Sequence, residues 1–139
     1  MSDTQSTNLP PDLAAFGDSY AELFGEVPPL PKAKFEFSSE IDPEGLRLAD
    51  KFRAHAFYNK TFDTKTTQLM LFGMLLVMGV PAAKHHAIAS RRAGASWQEL
   101  HQVTELASAV VALGPFNNGS AILNELRHQE GKHNQQSNK

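Results

Sequence analysis

Residues 63–99 read DTKTTQLMLFGMLLVMGVPAAKHHAIASRRAGASWQE, and the stops and starts inside that stretch decide the fold class. Asp63 stands directly before a run of helix formers, where a carboxylate can accept from the free amides of a first turn. Behind it, Leu69–Met78 is apolar almost without a break. A buried strand is the competing reading of such a run, but its length and its Leu and Met content favour a helix over Thr64–Met78. Being apolar nearly all round, that helix is expected to be central and buried. Gly79-Val80-Pro81 breaks it, and Pro81 suits the first turn of another helix reaching Ala93. Gly94 is a left-handed stop. Ser96 and Glu99 then form a capping box, in which Ser caps one amide and Glu returns to the amide of the cap residue.

Working outward, Pro11–Phe24 carries Leu13, Phe16, Tyr20, Leu23 and Phe24 at helical spacing, with Gly25 as its stop. Three prolines between 28 and 31 predict an extended connection over 26–41, because proline lacks a donor and clashes with a preceding turn. Asp42-Pro43-Glu44 starts a helix running to about Tyr58. Downstream, Leu100, Val103, Ala107, Val110 and Val111 give the helix after Ser96 its apolar face. Gly114-Pro115 is expected to end it, and a last helix spans about Phe116 to Arg127. The sum is an all-α chain of about six helices with little or no sheet. Residues 1–8 and 129–139 are polar and read as disordered ends, which leaves one domain over 9–128.

The chain has 139 residues, 41% of them apolar, and no cysteine. It is long enough to bury a core without staples. Zero cysteines exclude disulfides, thiol nucleophiles and thiolate zinc sites, and fit a reducing, cytoplasmic setting. A formal charge of −2 gives no electrostatic case for nucleic acid or an anionic membrane surface. The longest apolar stretch, Leu69–Val80, is shorter than the ~20 residues of a membrane helix, and the start lacks a signal-peptide pattern.

Lys84-His85-His86 is the densest cluster of titratable groups. On a helix, His86 shares its face with Ala82, Ala83, Ala89, Ser90 and Ala93, a small-residue face that packs closely. His86 is thus expected to be buried or at a pocket edge, where it could shuttle a proton. The bland alternative is a core histidine satisfied by one hydrogen bond. His85 points about 100° away. Adjacent histidines chelate one ion poorly and no metal-binding spacing occurs, so neither a metal nor another cofactor is expected. His101 and Glu105 read as a surface pair, Asn117-Asn118-Gly119 as a turn or as amides lining a pocket, Trp97 as a packing anchor, and Met70, Met74 and Met78 as core filling.

The stretch from Phe62 to about Leu123 resembles the carboxymuconolactone decarboxylase family, which includes the alkyl hydroperoxidase D-like proteins. Phe62, Asp63, Lys65, Leu69, His86, Gly94, Ser96 and Glu99 stand at the family's motif places, and His86 to Gly94 followed by the capping box is the most specific part. The resemblance implies an alkyl hydroperoxidase D-like helical bundle, assembled as a trimer or hexamer of identical subunits with sites near subunit contacts. The peroxidase members carry a Cys-x-x-Cys just before the histidine. Here Met78–Ala82 has none, so thiol peroxidase activity is excluded. Gln68 stands where members often have Glu, and Ala82, Ala83, Lys84 and His85 replace acidic and arginine residues.

The expectation is a cofactor-free lyase or isomerase acting on a small carboxylated lactone or a related aromatic-degradation acid. His86 would donate a proton to carbon, Lys84, His85 or Arg91 would hold a carboxylate, and Gln68 and Asn117 would orient the substrate. The alternative is a non-catalytic ligand-binding or assembly module that keeps the fold.

Overall fold

Proline recurs in the first turns of this protein's helices, where its missing N–H has no intrahelical acceptor to lose. A computed structural model describes residues 9–137. Its helices are α1 (Pro11–Phe24), α2 (Pro29–Ile41), α3 (Pro43–Phe57), α4 (Thr64–Met78), α5 (Ala83–Arg92) and α6 (Trp97–Ser137), with no strand among the described residues. The caps behave as their chemistry requires. Asp42 and Asp63 accept from the amides of Gly45 and Thr66 at 2.9 and 2.7 Å. Gly79 and Gly94, at φ 67° and 93°, take the left-handed turns that end α4 and follow α5. The capping box is closed both ways: the Ser96 amide donates to Glu99 Oε2 at 2.7 Å, and the Glu99 amide to Ser96 Oγ at 3.0 Å.

Six helices are present among the described residues, but not the expected six. The segment 26–41, expected to be extended, holds α2. Its first helical hydrogen bond comes from the Lys32 amide to the Pro28 carbonyl at 2.9 Å. Prolines 28, 29 and 31 all precede that donor, so none removes a bond. At the other end, Gly114-Pro115 does not stop α6, which runs unbroken for 41 residues with Pro115 inside it. Asn117-Asn118-Gly119 is therefore helix rather than turn, and residues 129–137, expected to be a disordered tail, are helical. Residues 108–118 are all exposed, so no packing within the chain explains why the helix continues through Pro115. The expected disorder of 1–8 and of the last two residues lies outside the described residues.

The core is Leu13, Tyr20, Leu23, Phe24, Phe35, Leu46 and Ala89, with Leu9, Phe16 and Val27 against it. It is built by α1, α2, α3 and α5. The apolar α4 is not its centre: Gln68 is its buried residue, while Met70, Met74, Val77 and Met78 are exposed. One α4 face packs against α5 and the start of α6. Gly73 makes the second contact possible, because a Cβ there would meet Val103 Cγ1 at 3.0 Å. Lys65 reinforces it with a 2.8 Å ion pair to Glu99. Trp97, expected to anchor packing, is 70% exposed.

Candidate functional site

Two buried polar side chains meet where α4 crosses α5. Starting α4 at Asp63 turns Gln68 inward. The small residues Ala83, Ala89 and Ser90 let α5 approach closely enough to bury His86. His86 Nδ1 lies 2.8 Å from Gln68 Oε1. An amide oxygen only accepts, so this bond assigns the ring proton to Nδ1 and leaves Nε2 with its lone pair. Edge-on aromatic rings clamp the imidazole, Phe24 at 5.1 Å and Phe57 at 5.7 Å. Burial, and then the nearby charges of Arg53 and His85, lower the His86 pKa to about 4. The ring is therefore neutral at physiological pH, able to accept a proton at Nε2 but holding it less readily than a free imidazole.

Arg53 belongs to a second polar assembly on the same side. Its guanidinium stacks 3.4 Å from the Tyr20 ring centre and lies 5.5 Å from that of Phe57. It donates to Ser19 Oγ at 3.1 Å and to the Tyr58 hydroxyl at 3.3 Å. Beneath it, buried Asp50 accepts from Lys34 Nζ at 2.6 Å and from the Tyr20 hydroxyl at 3.3 Å. Burial raises the Tyr20 pKa above its ordinary value despite the cations beside it.

Two cavities flank the histidine. An open cleft of about 560 Å³ is lined by Ser19, Glu22, Tyr58, Thr64, Ala89 and Arg92, among others. An apolar groove of about 380 Å³ is lined by Phe57, Phe62, Met70, Leu71 and Met74, among others. His86 lines neither. It stands one helical turn before Ala89 of the cleft, and directly behind Phe57 of the groove. The cleft and the buried imidazole thus lie on the same helix, with Ala89 lining the cleft and His86 one turn before it.

Of the residues expected from sequence, the fold joins His86 and Gln68. His85 is half-buried with its ring 6.1 Å from that of Phe24. Lys84 is exposed. Arg91 is already engaged, donating to the Ala95 carbonyl and stacking 4.4 Å over Trp97. Asn117 is exposed midway along α6. His101 and Glu105 form the expected exposed pair at 3.3 Å. Among the described residues, no group of three or more His, Asp or Glu is gathered as a metal site would need.

Arg92, Arg53 and Tyr58 were missed. Arg92 follows Ala89 by three residues, on the cleft side of α5, whereas Arg91 is turned 100° away. That register was readable once Ala89 was known to be buried. Arg53 had no local signal, because its role depends on α3 packing near α1.

Comparison with family models, curated proteins and solved structures returns no match for this chain. Fold and site together define a class: an all-α protein whose buried, neutral imidazole is oriented by a buried amide beside an arginine-rimmed cleft.

Proposed function

We propose that this protein is a cofactor-free lyase or isomerase acting on a small carboxylated lactone or related ring acid, with His86 moving the proton. The His86–Gln68 pair carries the reading. A buried amide that fixes the tautomer and leaves the Nε2 lone pair uncommitted has a use in proton transfer, and the order of family-like motifs from Phe62 onward agrees with it. Arg92, which lines the cleft and donates to the Glu22 carbonyl at its edge at 3.3 Å, holds the carboxylate.

Neutral His86 first removes a proton from carbon beside the carbonyl. The pair of electrons becomes an enolate, and return of the proton to another carbon of that enolate completes an isomerisation. For decarboxylation, carbon dioxide leaves and the C–C bond electrons remain as the enolate. The imidazole must then already hold a proton to give to carbon. An anionic substrate near Arg53 offsets that cation's field and raises the proton affinity of the ring. The donor role expected from sequence thus requires bound substrate.

His86→Ala is expected to lower turnover by at least about a hundredfold with the assembly intact, and unchanged turnover would remove His86 from the mechanism. A second reading, a ligand-binding module without catalysis, is favoured by one observation: the imidazole lines neither cavity. It predicts that lactones and carboxy acids are not turned over while one of them raises the melting temperature.

A further inference from the structure

Two hydroxyls that line the cleft, those of Ser19 and Tyr58, have their protons committed to the protein. Ser19 Oγ donates to the Phe16 carbonyl at 2.7 Å and accepts from Arg53 at 3.1 Å. The Tyr58 hydroxyl donates to the Ser19 carbonyl at 3.0 Å and accepts from Arg53 at 3.3 Å. A hydroxyl has one proton and two lone pairs, so each of these can offer a ligand only a remaining lone pair.

Charge adds a second asymmetry. Among the described lining residues, Arg92 is the one cation and Glu22 the one anion. They share the cleft without neutralising each other. Arg92 donates to the main-chain carbonyl of Glu22 at 3.3 Å, while the Glu22 carboxylate has no hydrogen bond or ion pair among the described residues. Gly25 gives the guanidinium room, because a Cβ there would meet Arg92 Nη1 at 3.2 Å. A guanidinium carries five N–H donors, so the contact with the carbonyl leaves Arg92 others for a ligand. Arg92 can therefore take a carboxylate, whereas Ser19, Tyr58 and Glu22 can take only hydrogen-bond donors.

We propose that the cleft selects a ring acid with one carboxylate and one hydrogen-bond donor, and that Glu22 accepts from the donor and turns away a second carboxylate. This rests on the reading of the cleft as the substrate site and narrows the substrate to an acid of a single carboxylate. A cavity of about 560 Å³ is of the size that holds a small ring compound, and Leu23, Ala89 and Ala93 supply apolar contact for its carbon face. A dicarboxylate of the same shape would set its second anion against Glu22, beside two hydroxyl oxygens with no proton to give.

Calorimetric titration of the full chain tests this without turnover, so it is read separately from the proton-transfer role that His86→Ala tests. The probes are 4-hydroxybenzoate, 4-(aminomethyl)benzoate, benzoate and terephthalate, which differ only in what stands opposite the carboxylate. At least one of the two donor-bearing acids should bind about tenfold more tightly than terephthalate, with benzoate between, and the tighter of the two identifies the donor as hydroxyl or ammonium. Glu22→Gln, a change of charge at an exposed side chain, should close that gap by weakening the donor-bearing acid and strengthening terephthalate, while benzoate moves less than about twofold. Terephthalate binding as tightly as both donor-bearing acids, or Glu22→Gln shifting all four alike, would overturn the selectivity alone. No binding of any of the four at about 10 mM would overturn it together with the reading of the cleft as the substrate site.

Discussion

Asp50 and Phe116 stand at opposite ends of this molecule's logic. Asp50 is a carboxylate with no exposed surface, and Lys34 and Tyr20 supply every interaction it needs. Phe116 is an apolar ring 72% exposed on a helix that leaves the body. The body around α1, α2, α3 and α5 buries polar groups because it can match them. Among the described residues, no buried side-chain donor or acceptor lacks a partner. The outer half of α6 leaves apolar groups bare because its own chain offers nothing to match them. Stability of the chain should therefore depend on the body and little on the arm.

The largest effect should come from breaking a match in the body. Asp50→Ala leaves the Lys34 ammonium facing Tyr20 and Phe35 without its carboxylate. With Lys34 one-third exposed, it should cost about 2–3 kcal/mol in urea denaturation, and a loss under 1 kcal/mol would show that the pair matters little. Next is pH. The folded-state pKa of His86, about 4, lies below the ordinary 6.5, so below pH 6.5 the unfolded chain takes up a proton that the native ring refuses. Stability is intact above pH 6.5 and falls as pH drops toward 4. The loss is on the order of 2 kcal/mol, trimmed from the full shift by solvent reaching part of the ring. His86→Gln should flatten that difference between unfolding curves at pH 7 and pH 4.5.

Ser96→Ala removes one half of the capping box and should cost about 1 kcal/mol, read as a lower melting temperature. The smallest effect belongs to the arm: Phe116→Ala should change protomer stability by less than about 0.5 kcal/mol at concentrations where the chain is monomeric. A cost equal to that of a core truncation would place the ring against its own body and erase the contrast.

Local chemistry was legible and context was not. The bounds of α1 and α4, the Asp42 and Asp63 caps and the Ser96–Glu99 box follow from nearest-neighbour rules, and the structure has them. The α2 segment was not legible because its prolines all precede the first helical donor, Lys32, where they break no bond. Pro115 was misread the opposite way, as a stop in a helix that continues. Seen from sequence, α4 looked like a core helix. Hydropathy does not say how much of an apolar helix its own chain buries. His86 and Gln68 were legible because small residues and one amide suffice to bury an imidazole. Arg92 was not, because the cleft it lines is made by α1, α4, α5 and Tyr58, distant in sequence, and Arg53 was not, because its partners Ser19 and Tyr20 lie on α1.

The central claim is that His86 is a neutral, amide-oriented base. It is tested most directly by nitrogen-15 NMR of the histidine rings across pH. The account predicts a His86 ring protonated at Nδ1, with a lone pair at Nε2, titrating near pH 4. A His86 ring that titrates near pH 6.5, or one carrying its neutral-state proton on Nε2, would contradict it.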